Sequence, residues 1–155
     1  MSNIEEYLSA HEFFKGLEQD FIQFLAENAR ELTIKEGNVL FQQGKTADRF
    51  YLVRAGQVSV QVPALVGPTL ELQLLGEDQI LGWSWLIPPY RWHFAARSVE
   101  DTDVLEFDGS AILKHCEEDP RFGYELLKRF AALMSARLDA ARVKMMDQFA
   151  PPGFA

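Results

Sequence analysis

The sequence predicts a mainly β domain with helices on both flanks, and three observations predict it. Glycines punctuate the middle of the chain at Gly37, Gly44, Gly56, Gly67, Gly76 and Gly82. Turn signals recurring at about 8–12 residues mark an all-β sandwich or roll. Between them lie short runs rich in Val, Leu and Phe that alternate apolar with polar, whereas both ends carry apolar residues at helical spacing.

The elements follow in three segments of a single domain spanning residues 1–155. Residues 1–28 read as N-terminal helices. Ile4, Tyr7, Leu8 and His11 recur at helical spacing, Phe13, Phe14 and Leu17 cluster, and Phe21, Ile22, Phe24 and Leu25 form a second stripe beyond Gly16. Residues 29–108 are the β region. Phe50 to Val53 and Gln57 to Val62 are strands, the second placing Val58, Val60 and Val62 inward and Gln57, Ser59 and Gln61 outward. Arg54-Ala55-Gly56 between them reads as a tight hairpin. Val66-Gly67-Pro68 is a further turn, Thr69 to Leu74 alternates again, and Val99 to Phe107 supplies two strand pieces around Glu100-Asp101.

Residues 109–149 return to helix. Asp108 is placed to cap a short one, and Asp119-Pro120 starts a long one, with Asp at the cap and Pro in the first turn. Its apolar stripe runs through Phe122, Leu126, Leu127, Phe130, Leu133, Met134, Leu138, Ala141 and Met145. A helix to Gln148 spans roughly 40 Å, longer than a small domain needs for its own cover. Phe130, Leu133, Met134, Leu138, Ala141 and Met145 are therefore expected to form a homodimer interface.

Composition narrows the function classes. A chain of 155 residues, 48% hydrophobic and 25% charged, has room for one ordinary core without disulfide or metal staples. A lone cysteine, no basic-then-apolar leader pattern and no apolar run near the roughly 18 residues of a membrane span lead us to expect a cytoplasmic protein. A net charge of −8 argues against direct nucleic-acid binding, and the basic residues of the last third are interleaved with acidic ones. No nucleophile elbow, paired-carboxylate context, phosphate loop or dinucleotide fingerprint appears, so no enzyme is expected. His115 and Cys116 are adjacent and face different directions, and the three histidines lack metal spacing, so no metal is expected.

Two residue patterns match something specific. Glu36-Gly37-Asn38-Val39-Leu40-Phe41-Gln42-Gln43-Gly44 is followed by Ala47-Asp48-Arg49-Phe50-Tyr51-Leu52-Val53 and Ala55-Gly56-Gln57-Val58. This resembles the opening of the cyclic-nucleotide-binding-domain family, which includes the sensor domains of catabolite-activator-type regulators. The pattern taken alone also suits other rolls with glycine corners, such as cupins; the order helix, roll, helix, long helix favours the sensor domain. The resemblance implies an eight-stranded β-roll (a double-stranded jelly roll) with N-terminal helices and a long C-terminal dimerisation helix. It also implies a non-catalytic regulatory or sensor role. Only about seven residues follow Gln148, too few for the helix-turn-helix that the family's transcription factors carry there.

The ligand cassette departs from the family. There a Gly-Glu pair opens a short helix, the Glu holds a ribose hydroxyl, and an Arg-Ser/Thr-Ala triplet neutralises the cyclic phosphate. Here Gly82 matches the glycine, Trp83 stands in place of the glutamate, and Trp92-His93-Phe94 occupies the triplet. Arg91 is one position off, which along a strand is the opposite face. A buried phosphate without its arginine costs several kcal/mol, so a cyclic nucleotide is disfavoured as the ligand. Non-standard anchors for one remain an alternative.

All three tryptophans, Trp83, Trp85 and Trp92, fall in this stretch. Three arrangements stay open: the aromatics fill the old pocket, they line a cavity for a flat or apolar effector with Arg91, Arg97 or His93 as polar handle, or they form an exposed patch for another regulatory protein. The candidate ligand-binding residues are Gly82, Trp83, Ser84, Trp92, His93 and Phe94. Haem ligation by His93 is set aside, because a lone strand histidine is more often simply hydrogen-bonded.

Overall fold

Strand β3 (Arg49–Ala55) is buried on both of its faces, and that fact organises the molecule. Phe50 and Leu52 point one way into a core shared with helices, while Tyr51 and Val53 point the other way into the interior of the roll. This is the period-2 alternation of a strand with no solvated side. The computed structural model describes residues 3–62 and 69–149.

Helices α1 (Asn3–Ala10) and α2 (Gln19–Glu27) precede β1 (Ala29–Ile34) and β2 (Val39–Phe41). After β3 come β4 (Val58–Val62), β5 (Leu70–Leu75), β6 (Ile80–Leu81), a single 3-10 turn at Ser84–Leu86, β7 (Ala95–Ser98) and β8 (Thr102–Asp108). Helices α3 (Gly109–Glu118) and α4 (Pro120–Phe149) follow. The eight strands form two antiparallel four-stranded sheets, ordered β1-β8-β3-β6 and β2-β7-β4-β5. This is the expected jelly roll with N-terminal helices and a long C-terminal helix.

The turn at Arg54-Ala55-Gly56 is not the hairpin the sequence suggested. β3 pairs with β6 and β8, and β4 pairs with β5 and β7, so this turn carries the chain from one sheet to the other. Gly56 sits at φ +102°, and a Cβ there would lie 2.5 Å from the Thr102 hydroxyl oxygen. Only glycine lets this corner close against β8. The turn at Val66-Gly67-Pro68 lies outside the described residues. Ser59, expected to face solvent, is buried, because Glu71 of β5 accepts its hydroxyl and the Gln61 amide donates to it.

Two apolar cores result. One packs α1, α2, α3 and α4 onto the outer face of the first sheet, through Phe14, Ile22, Leu25, Ile112, Phe122, Leu126 and Phe130 against Phe50, Leu52, Leu105 and Phe107. The other fills the roll with Phe41, Tyr51, Val53, Val58, Val60, Leu81, Trp92 and Val104. Both predicted caps form. The Asp108 carboxylate accepts the Ala111 N–H at 3.1 Å, and that of Asp119 accepts the Arg121 and Phe122 N–H groups at 3.2 and 3.3 Å. Among the described residues no helix is long and apolar enough to cross a membrane.

Candidate functional site

The site begins where β6 ends. Gly82 takes φ +99°, and a Cβ on it would lie 3.0 Å from the Trp92 ring. The glycine therefore supplies both a left-handed turn and the space in which an indole sits. Trp83 follows, half-buried, with Ser84 buried behind it in the 3-10 turn. Trp85 goes elsewhere: it is buried against Phe50 and Phe130 in the helix-side core.

After a cis Pro88-Pro89 bond, the chain returns along the 42–45 loop. The Gly44 N–H donates to the Trp92 carbonyl at 2.8 Å and the Trp92 N–H donates to the Lys45 carbonyl at 3.0 Å. These two bonds fix which way the segment faces. Trp92 is buried and lies flat on Phe41, with ring centroids 3.7 Å apart and planes 10° apart. Phe94, two residues on, turns inward beside it, while His93 between them is exposed. Regular strand pairing with β4 starts only at Ala95, so Trp92 precedes β7 rather than opening it.

These side chains border a cavity of about 360 Å³ between the second sheet and α4. Its walls are mostly apolar: Phe41, Val60, Leu72, Leu81, Trp83, Trp92 and Phe94 from the roll, and Met134, Leu138 and Ala141 from α4. Four lining residues are polar or charged: Glu71, Gln73, Ser84 and Arg137. Volumes from about 300 Å³ upward are usual for small-molecule pockets. Of the six residues singled out in the sequence, Gly82, Trp83, Ser84, Trp92 and Phe94 border the cavity and His93 does not. His93 falls on the solvent side, in the bend that precedes β7, with its ring 5.6 Å from that of Trp83. Arg91 and Arg97 are exposed and donate to the Gly44 and Gly37 carbonyls.

Arg137 is the residue that sequence reasoning missed. It reaches from α4 to donate a guanidinium N–H to the Ile80 carbonyl of β6. Burial lowers its pKa to about 10. One signal was present: Arg137 interrupts the apolar run Met134, Leu138, Ala141 on the same helix face.

The stripe named as an interface divides in two. Phe130 is fully buried within the chain itself, ringed by Phe13, Phe50 and Trp85, and Leu133 packs against the same core. Phe130 is thus no contact for a partner, because α4 spends that face on its own sheet. Leu138 and Ala141 are exposed, Leu138 at 72%, and Met134 is partly buried. The Met145 side chain lies outside the described residues.

Other chemistry is quiet. Among the described residues no group of three or more His, Cys, Asp or Glu side chains could hold a metal ion. His115 stacks on Phe24 with ring centroids 4.1 Å apart. Burial, then the Glu117 and Asp119 charges, push the Cys116 thiol up to about 11. At the end of the roll interior Glu106 is buried and salt-bridged to Arg30 at 2.7 Å and Arg49 at 3.2 Å, beside Tyr51, its partner across β3 and β8. Burial, then the Glu106 charge, push the Tyr51 phenol well above its usual range.

Comparison with known proteins agrees with this architecture. The chain is 26% identical over 132 residues to the cyclic AMP receptor protein of Thermus thermophilus, covering 85% of this chain and 59% of that protein. It is 22% identical over 128 residues to the CRP-like cAMP-activated global transcriptional regulator of Mycobacterium tuberculosis, covering 83% and 57%. The chain thus spans under two thirds of the length of these curated relatives. A solved structure described as a cyclic nucleotide-binding protein from Geobacter metallireducens superposes with a TM-score of 0.79 at 25% identity, covering 89% of this chain and 99% of that one. The cyclic nucleotide-binding domain family model matches residues 31–119, and the chain belongs to that family of regulatory domains.

Proposed function

We propose that this chain is a non-catalytic sensor module whose pocket takes a small, largely apolar effector in place of a cyclic nucleotide, and that it acts as a homodimer paired along α4. One observation carries the reading: a cavity of about 360 Å³ is walled by Trp83, Trp92 and Phe94. The resemblance places the family's ribose anchor at Trp83 and its phosphate-binding triplet at Trp92-His93-Phe94. An aromatic wall rewards a ligand that buries apolar surface, at about 25 cal/mol per Å². It offers a sugar and a phosphate few partners, and each unpaired polar group buried costs about 1–3 kcal/mol.

Pairing is supported by the outward face of α4. Tyr124, Leu127, Ala131, Met134, Leu138 and Ala141 follow each other at alternating steps of three and four, the seam of a two-stranded coil. Tyr124, Leu127 and Leu138 are among the large exposed apolar side chains of the described residues. Met134, Leu138 and Ala141 belong both to this seam and to the cavity wall. An effector in the cavity therefore touches the helix that pairs, which is what a regulatory domain requires.

The test is a titration of intrinsic tryptophan fluorescence with a library of small aromatic and aliphatic compounds, with cyclic AMP alongside. Trp83 and Trp92 border the cavity, so a resident ligand shifts their emission in a saturable way. Saturable shifts with apolar compounds and none with cyclic AMP support the reading. Tight cyclic AMP binding, or no saturable ligand across the library, overturns it.

A further inference from the structure

We propose that the effector is a monoanionic carboxylate with an aromatic or branched apolar body, its head group held by Arg137 from α4. This inference rests on the pocket reading above and names the chemistry of its ligand.

The chain has nine arginines. Six of them, Arg30, Arg49, Arg54, Arg121, Arg129 and Arg142, each have a carboxylate within salt-bridge distance. The other three, among the described residues, are Arg91, Arg97 and Arg137. The first two are exposed, where water solvates their charge. Arg137 alone of the three is partly withdrawn from solvent, and burial is what bears on its charge, with no acidic group among the described residues offsetting it. Its one hydrogen bond among the described residues, to the Ile80 carbonyl, engages one of five guanidinium N–H donors. That bond also steers the group along the cavity edge, where it is a lining residue.

A buried cation without a counter-ion is costly unless something pairs with it. The fork of the guanidinium matches a carboxylate in bidentate geometry. Glu71, the acidic lining residue, does not fill this role. It is exposed on β5, and its carboxylate accepts the Ser59 hydroxyl. Its charge at the exposed side instead disfavours a second negative group on the ligand, so the body of the molecule is neutral. The remaining walls, Trp83, Trp92, Phe94, Leu72 and Leu81, suit a ring or a branched chain. They hold few groups that could satisfy the several polar atoms of a purine and a ribose.

The probes are matched pairs: benzoate, phenylacetate, 4-phenylbutyrate and 2-naphthoate, each beside its neutral primary amide, titrated by calorimetry into the full chain. At least one acid is expected to bind ten-fold or more tighter than its amide. Arg137→Gln is expected to abolish that preference while leaving amide affinity within two-fold, and Arg137→Lys to restore part of it. If acids and amides bind the unaltered protein equally, Arg137 is no anchor and this inference fails, while the apolar-pocket reading stands. If neither series binds at all, both fail. Cyclic AMP binding tighter than every acid overturns the ligand class. The acid–amide comparison needs only the unaltered protein, so it decides the matter even if Arg137→Gln does not fold.

Discussion

Trp92 and Phe41 lie face to face, 3.7 Å between ring centroids and 10° between planes, and this stack makes the indole a wall of the cavity rather than its plug. An indole standing upright would take up the space; laid flat on Phe41 it leaves about 360 Å³ beside it. The stack holds because the backbone of residue 92 is bonded on both sides to the 44–45 loop.

Trp92→Ala is accordingly expected to destabilise the fold by about 3 kcal/mol, the low end for a buried aromatic, since one side of the ring already borders empty space. Ligand response should be lost as well. Gly82→Ala tests the same contact from the other side. It places a methyl 3.0 Å from the Trp92 ring on a residue at φ +99°, so a loss above about 1 kcal/mol is expected. Urea denaturation of the two variants checks both, and unchanged midpoints would show that the stack does not hold the wall.

Arg137→Met should act in the opposite direction on the empty protein. The guanidinium pKa is lowered to about 10 by burial. The folded state therefore binds its proton less readily than the unfolded state, where the guanidinium keeps its ordinary, higher value. The charge then costs stability at every pH below 10, and the penalty is relieved only as pH climbs above 10 towards the ordinary guanidinium value. Removing it at neutral pH should stabilise the empty protein by about 1–2 kcal/mol, a discount on the full shift at 1.36 kcal/mol per unit. A melting temperature that falls instead would mean that the bond to Ile80 outweighs the desolvation.

How far the sequence reached can be judged from single residues. Gly37, Gly44 and Gly56 announced corners because a positive φ needs glycine, and all three adopt one. Whether the corner after Ala55 folds back as a hairpin or crosses to the other sheet was not legible. That choice depends on Thr102, which is 46 positions away in the chain, packing against Gly56. Asp108 and Asp119 were legible as caps because capping is local. Phe130 and Leu138 looked alike as members of one apolar stripe, although one faces the protomer's own sheet and the other faces outward. Arg137 showed in the sequence only as a break in that stripe, because its meaning comes from β6, 57 residues earlier.

That distinction on α4 gives a paired prediction. Leu138→Glu should dissociate the proposed dimer with little loss of protomer stability, since the side chain is 72% exposed. Phe130→Ala should instead cost about 3–5 kcal/mol through the cavity it leaves. Sedimentation velocity and thermal melting on both variants separate the two faces. A monomeric unaltered protein, or a Leu138→Glu protein that stays paired, would remove the seam from consideration.

The thiol offers a check on the helix-side core. Burial, then Glu117 and Asp119, raise Cys116 to about 11, so its thiolate fraction at pH 7.5 falls below one part in a thousand. Reaction with a disulfide reagent should be slow in the folded protein and speed up sharply in urea. Fast labelling of the native state would mean that α3 opens readily from α4.

Cyclic AMP affinity is the prediction that bears most directly on the proposed function. We expect a dissociation constant no tighter than about 100 µM, near −5.5 kcal/mol. The reason is positional: Trp83 stands where the resemblance places a ribose acceptor, and Trp92 and Phe94 border the cavity where it places the phosphate arginine. Arg137 could meet the phosphate charge, but the purine and ribose would then exchange water for aromatic walls, at about 1–3 kcal/mol for each polar group left unpaired. Restoring the acceptor should not rescue binding. Trp83→Glu would set a carboxylate in the same cavity as Arg137, and the two would pair with each other before either met the nucleotide. Calorimetry on the unaltered protein and on Trp83→Glu decides this: submicromolar cyclic AMP binding by the first, or a large gain in the second, would show that the aromatic walls had not displaced the nucleotide.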